Sequence, residues 1–355
     1  MSSASLSTSS LTTQSSNPID STTTNEGPRQ PHTSIFPTTL ADLHQQQHYG
    51  LFDNNDNDDA RNLYKTLKSL RLATLSIRNR LASIQSDSRF VQEVAAHYGG
   101  LPLIANERCG SWYIPPSRKA GSVYFKSTDG HHGQWAFSLR RLNLSLLGIL
   151  GRERNGAVIV DSTRRGKRVP DALAKTVGIW CAVVNAVLFP EFHGRVNAAA
   201  TDGGLEVWDD VGESERSQIE ARLRGWCDAF SGLGLDLRKL REEVRRPVRC
   251  LWVVNGEWAP ENNNDDDDTG RRKVIEGWKR REWNLLVLCS ASRVVKGAEM
   301  SQGGYIQGSG DDHEGWSQGL TPDMFWINRD RLEKLGLRYC DDIGEKAGLP
   351  DPHYM

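Results

Sequence analysis

Residues 1–59 are rich in Ser, Thr, Asn, Gln and Asp, with few apolar positions among them. Such a composition cannot bury enough surface to offset ordering entropy, and a disordered tail is expected there. The character then changes. Leu63, Leu67, Leu70, Thr74, Ile77, Leu81 and Ile84 recur at steps of four and three, the spacing that lines one face of a helix. Lys65, Lys68, Arg71, Arg78 and Arg80 fall on its other face. Asp87 is expected to cap a second helix that stops at Gly99-Gly100.

Beyond Gly100 the pattern alternates between strand and helix. Leu101 to Glu107, Ser122 to Lys126, Ala157 to Val160, Arg249 to Val254 and Asn284 to Ser290 read as strands. Gln134 to Leu150 reads as a helix with Trp135, Leu139, Leu142, Leu146 and Ile149 inward. Pro170-Asp171 opens an apolar helix that runs through Phe189 to Pro190, and Glu213 to Phe230 and Leu237 to Arg245 follow. Thr321-Pro322 caps a last helix to about Leu335. The expected fold is α/β, a mixed and mainly parallel sheet flanked by helices. One domain covers residues 60–340, with an exposed acidic loop at 260–270 and a short extension at 341–355.

Composition narrows the classes. No apolar run is long enough to span a bilayer, and MSSASLSTSSLTTQSS is neither a secretory signal nor an Arg-rich transit peptide, so the cytosol, or else the nucleus, is the expected address. The cysteines at 109, 181, 227, 250, 289 and 340 form no CxxC pair, which argues against zinc or a disulfide scaffold and for reduced, mostly buried thiols. Residues 1–59 carry −6 and Glu261 to Asp268 carry −5, so the rest stands at +10 beneath a total of −1. Between Arg108 and Lys175 thirteen Lys and Arg face four acids. That imbalance points to a polyanionic partner as readily as to solvated basic faces.

Three constellations offer chemistry. In Lys126-Ser127-Thr128-Asp129-Gly130-His131 a strand ends in a turn of hydroxyls, suited to an anion, with Asp129 or His131 as proton acceptor; a capping turn is the plain alternative. Asp161-Ser162-Thr163-Arg164-Arg165-Gly166-Lys167-Arg168 follows a buried strand with a carboxylate, hydroxyls and four cations, as a loop holding a phosphorylated sugar requires. It breaks the nucleotide P-loop pattern and partly echoes the acidic loop of phosphoribosyltransferases, without their second adjacent acid. Lys175 could turn back toward the same anion, or simply pair with Asp171. The third, Gly303 to Glu314, is glycine-rich and ends in Asp311, Asp312 and His313, where carboxylates could order waters around a magnesium diphosphate. Cys289 and Arg293 stand too close together for a thiol phosphatase loop.

Taken with Ala105 to Tyr113, Gln134-Trp135, Pro170 to Thr176 and Tyr305 to His313, these segments resemble the initiator tRNA phosphoribosyl transferases of fungi and plants, from about Leu63 to Leu335. The resemblance implies transfer of the phosphoribosyl group of phosphoribosyl diphosphate to the 2'-hydroxyl of the adenosine at position 64 in the T-stem of initiator methionine tRNA, which keeps that tRNA from elongation. The chain departs from the family at Gly178, where proline is usual, and at His132, where Thr is usual. The resemblance also implies a following C-terminal domain similar to dual-specificity phosphatases, and the sequence is expected to be a truncated form or a short gene model that stops before it.

On this reading Arg164, Arg165, Lys167 and Arg168 clamp the donor phosphates, Ser162 and Thr163 add hydroxyl donors, and Lys126 sits across the pocket. Ser127, Thr128, Gly166 and Lys175 complete the phosphate site, with Arg108 in a neighbouring loop. Asp161 anchors ribose hydroxyls or, with Asp311, magnesium waters; Asp129 is the expected base and Asp311 the runner-up. The helix face at Lys65, Lys68 and Arg71 is expected to touch the tRNA backbone. The competing classes are a tRNA-binding module without turnover and a phosphate hydrolase.

Overall fold

The computed structural model describes residues 77–152, 154–193, 204–258, 269–295, 301–302 and 304–334. The Ser/Thr-rich segment, the basic positions Lys65, Lys68 and Arg71, most of the acidic loop and residues 341–355 lie outside them. In chain order the elements are α1 (Ile77–His97), β1 (Leu103–Asn106), β2 (Lys119–Val123), α2 (Ser145–Leu150), β3 (Gly156–Asp161), a π-helical turn (Ala172–Thr176) running into α3 (Val177–Leu188), α4 (Pro190–His193), α5 (Glu213–Ser231) and α6 (Leu237–Val244). Then come β4 (Val248–Val254), α7 (Thr269–Lys279), β5 (Asn284–Ser290), the short β6 (Ser301–Gln302) and β7 (Tyr305–Ile306), and α8 (His313–Trp316), α9 (Pro322–Ile327) and α10 (Arg329–Lys334).

Five strands form one sheet in the order β2-β1-β3-β5-β4, and every pairing is parallel. The expected admixture of antiparallel strands is confined to the separate ribbon β6-β7. Both faces of the sheet are covered, which is why its central strands read as unbroken apolar runs. Ile104, Ala157, Ile159, Leu286 and Leu288 pack beneath α2, α3, α5 and α6. Their alternating neighbours Ala105, Val158, Val160, Leu285 and Val287 pack beneath α1, Val274 of α7, Trp112 and Phe325 of α9. The result is a three-layer α/β/α sandwich.

Several expectations need correction. Residues 77–97 form one continuous helix, and Asp87 lies buried in its middle rather than capping a second one. The helix expected over 134–150 shrinks to α2. Gly133 and Asn143 adopt positive φ, Asn143 holds the Tyr124 amide at 2.9 Å, and the chain folds back over the end of β2. Trp135 is still buried, whereas Leu139 is exposed. Strand β2 begins and ends earlier than expected, because Tyr124 to Lys126 already belong to the turn that follows. The last helix breaks at Asn328, and α7 was not anticipated.

Candidate active site at the strand ends

The chain leaves β1 toward β2 on one side and later enters β3 on the other. This reversal makes the carboxyl ends of β1 and β3 a topological switch point, where such sheets usually hold a ligand crevice. Asn106 and Asp161 are the last residues of these strands, and both are fully buried. The Asn106 amide donates to Asp161 at 2.8 Å and to the Phe125 carbonyl at 3.0 Å, while its oxygen accepts from the Phe125 amide at 2.8 Å. One side chain thus ties the turn after β2 to the carboxylate at the end of β3.

Arg108 closes the crevice from above. Its guanidinium meets Asp161 at 2.9 Å and Asp311 at 3.2 Å, and also donates to the Ser162 carbonyl. Burial works against the Arg108 charge, but the neighbouring carboxylates of Asp161 and Asp311 outweigh it and hold the proton more tightly than usual. Burial likewise raises the Asp311 carboxyl, which Arg108 partly offsets and Asp161 reinforces. The Cys109 thiol donates to Asp161 at 2.9 Å, and burial followed by the two carboxylates pushes it well above the ordinary range. Ser162 donates to Asp311 at 2.8 Å and accepts from the Tyr113 hydroxyl at 3.0 Å. Gly110 lets this loop lie against β3, since a Cβ there would stand 2.3 Å from the Val160 carbonyl oxygen.

The cationic loop after β3 turns sharply at Arg165 and Gly166, both at positive φ, with the Lys167 amide returning to the Arg164 carbonyl at 3.2 Å. A left-handed arginine at a loop tip is a conformation that the surroundings must enforce. Gln307 enforces it, accepting from the Gly166 amide at 3.0 Å and donating to the Lys167 carbonyl at 2.8 Å. Arg164 reaches Asp312 at 2.5 Å and Asp311 at 3.8 Å. The glycine-rich segment and the cationic loop, more than 130 residues apart, therefore meet.

A second cluster adjoins the first. The turn Ser127–Gly130 packs on the π-helical turn, where a Cβ on Gly130 would stand 2.6 Å from the Asp171 carbonyl oxygen. Asp171 receives Lys167 at 2.8 Å, Lys175 at 3.4 Å and His131 at 3.6 Å, and the nearly buried Lys175 also meets Glu215 at 3.0 Å.

The expected site residues thus divide. Arg108, Asp161, Ser162, Thr163, Arg164, Asp311 and Asp312 line the crevice, and His313 lies at its rim with its ring 5.8 Å from Trp112. His131, Lys167 and Lys175 gather around Asp171, and Ser127 and Thr128 lie in the turn whose Gly130 packs against it. Asp129 joins neither group: it turns to Arg141 at 2.9 Å, away from His131. Arg168 points to the far side, onto Glu257 at 2.5 Å and Asp210 at 3.3 Å, with its guanidinium over Trp208. Lys126 and Arg165 are exposed and have no carboxylate partner among the described residues. Asn106, Tyr113 and Gln307 were missed as site residues, whereas the Lys175–Asp171 pair is one of the two alternatives expected. Asn106 carried a signal, as a polar residue ending an apolar strand.

Cys109, Asp161 and Asp311 bring their donor atoms within 4.8 Å of one another, so a metal has to be considered. The set does not fit magnesium as a direct ligand cage. A thiol is a poor donor for a hard cation, and the Asp161 oxygens are already taken by Asn106, Arg108, Cys109 and the Ser162 amide.

Fold and site together define a parallel α/β protein with a charged crevice at its topological switch point. The chain belongs to the family described as the Rit1 N-terminal domain, whose model matches residues 70–345. It is 40% identical over 298 residues to the tRNA A64-2'-O-ribosylphosphate transferase of Saccharomyces cerevisiae, covering 79% of this chain and 56% of that one. It is also 40% identical over 257 residues to an uncharacterized protein of Schizosaccharomyces pombe, covering 72% of this chain and 52% of that one. The chain therefore spans about half the length of the curated relatives it matches. No solved structure matches it. Among the described residues no helix is long and apolar enough to cross a membrane.

Proposed function

We propose that this chain transfers a ribosylphosphate group from phosphoribosyl diphosphate to the 2'-hydroxyl of the T-stem adenosine of initiator methionine tRNA. The observation that carries this reading is the switch point, where Arg108, Asp161, Ser162, Arg164 and Asp311 converge in a chain 40% identical to a relative named tRNA A64-2'-O-ribosylphosphate transferase. In the reaction the bond from the anomeric carbon to the diphosphate breaks and a bond to the tRNA oxygen forms. The hydroxyl proton goes to a base, and the diphosphate leaves with the electron pair. Charge separates in the transition state, so preorganised cations and one proton acceptor are the parts the protein must supply.

Arg164 and Lys167 supply the cations by exchanging Asp312 and Asp171 for donor phosphates, and Arg165 and Lys126 join them. Asp161, saturated by its own partners, holds Arg108 in place. Asp311 is a better proton acceptor than Asp129, because burial raises its carboxyl and it faces the crevice, whereas Asp129 is covered by Arg141. Magnesium is proposed to enter bound to the diphosphate, not to a cage of protein ligands.

The test is mass spectrometry of nuclease fragments from initiator tRNA incubated with the chain, magnesium and phosphoribosyl diphosphate, beside elongator methionine tRNA. A phosphoribosyl mass gain on the initiator T-stem fragment alone is expected. No gain on any tRNA would reject the reading for this chain.

A further inference from the structure

The segment between β2 and α2 folds into an exposed shelf beside the crevice. Tyr124, Lys126, His131, His132 and Arg140 are all exposed there, and Arg222 of α5 joins them by stacking its guanidinium 5.0 Å from the Trp135 ring centre. Three acids packed against the shelf are already engaged, Asp129 with Arg141, Glu215 with Lys175 and Asp171 with Lys167, while Glu213 is exposed at the start of α5. The shelf is therefore a positive surface with little open negative charge, and the Asn106 side chain couples its first residues to Asp161.

The aromatic rings decide what kind of polyanion fits. Trp135 is buried and its indole N–H is held by Glu215 at 2.8 Å, while Arg141 covers the Tyr124 ring at 5.9 Å. Phe125, Trp135 and Phe137 are buried, so Tyr124 alone leaves an exposed ring, too little for a platform on which successive unpaired bases stack, and contact runs chiefly through phosphates. We infer that this shelf docks the sugar-phosphate backbone of a duplex RNA stem. The inference rests on the transferase reading and adds to it the surface on which the tRNA stem lies while its 2'-hydroxyl reaches the crevice.

The test combines Arg140→Glu and Arg222→Glu in the full chain. It measures the Kd for initiator tRNA by fluorescence anisotropy at several salt concentrations, and kcat and KM in the transfer assay. Arg272→Glu on α7, where Arg272 pairs with Glu276, is the control. The double variant is expected to raise the Kd and the tRNA KM at least tenfold and to lower the salt slope by about two, as loss of two phosphate contacts requires. Its kcat at saturating tRNA should stay within twofold of the parent, and the control should bind like the parent. An unchanged Kd and salt slope in the double variant would overturn the inference, as would an equal loss for a single-stranded RNA of the same length. A parent chain that binds tRNA through this shelf but transfers nothing would reject the transferase reading alone.

Discussion

The Tyr305 hydroxyl donates to the Asp87 carboxylate, lying 2.9 and 3.0 Å from its two oxygens, and accepts the Arg293 amide at 2.7 Å. Asn255 adds a second donor to Asp87 at 3.2 Å. A buried carboxylate in the middle of α1 thus gathers the segments that follow β4 and β5 and the start of the glycine-rich segment. Ser83, one helical turn earlier, accepts the Ile306 amide at 2.9 Å. Removing the hydroxyl takes a donor from Asp87, which keeps Asn255, and takes the acceptor from the Arg293 amide, so Tyr305→Phe is expected to cost about 1–3 kcal/mol in urea denaturation.

Burial holds the Asp87 carboxyl well above its ordinary range, against the opposing hydrogen bonds from Tyr305 and Ser292 and the Arg293 charge. The folded state therefore binds this proton more tightly than the unfolded one. The stability it contributes is complete below the unfolded pKa and is lost as pH rises through the folded one. Asp87→Asn does not titrate, so its stability relative to the parent should improve as pH rises above about 4, across the range in which the parent stays folded. A difference that stays constant across that range would contradict the assignment.

Asp161→Ala removes the acceptor of Asn106, Arg108, Cys109 and the Ser162 amide at once. Breaking a buried charge pair from one side costs about 3–5 kcal/mol. The variant should show that loss in chemical denaturation and no detectable transfer. Full activity in a stable Asp161→Ala chain would remove Arg108 and Asp161 from the proposed mechanism.

Arg164 and Arg168 are neighbours in the cationic loop but point to opposite sides. Arg164→Ala is expected to raise the KM for phosphoribosyl diphosphate about tenfold or more, the loss of one charge-assisted contact. Arg168→Ala should leave that KM within about twofold, because a surface ion pair contributes little. Equal effects in steady-state kinetics would mean that the whole loop turns inward when donor binds.

Gly110→Ala places a methyl group 2.3 Å from the Val160 carbonyl oxygen, a contact that backbone movement alone can relieve. Overpacking of this kind costs about 1–3 kcal/mol. Because the moved loop carries Arg108, turnover should fall further than the stability loss explains. Comparing kcat with the denaturation midpoint of the same preparation checks this.

The strands at 156–161 and 284–290 were legible because both sheet faces are buried, which leaves a continuous apolar run bounded by turn residues. The false helix over Gln134 to Leu144 arose from apolar residues at helical spacing that serve different neighbours. Trp135 goes into the core, Leu139 into solvent, and Asn143 in the left-handed region turns the chain between them. Asp87 looked like a cap because its partner Tyr305 stands 218 residues away, beyond the reach of any local pattern. In the candidate site, Asp161 stood out as a carboxylate ending an apolar strand, and the structure places Arg108, expected only in a neighbouring loop, beside it. The direction of each cation along an irregular loop could not be read, since no periodicity governs it, and Arg168 was grouped with Arg164 although it turns to Glu257 and Asp210. The pairing of Asp129 with Arg141 was hidden in the same way, by a fold-back that only tertiary contacts create.

The bonds from Ser83 to Ile306 and from Asp87 to Tyr305 span 223 and 218 residues, and the Asp311 they help to place is among the last folded parts of the site to be translated. A chain still being synthesised can pair β1, β2 and β3 before that segment exists. Until then, the end of β3 presents a buried acid and an arginine without their third partner. The completed crevice is therefore a late event in folding with very long-range closure, which places this protein among slow-folding topologies. A truncation before residue 305 would keep every strand of the main sheet and still lack a finished site.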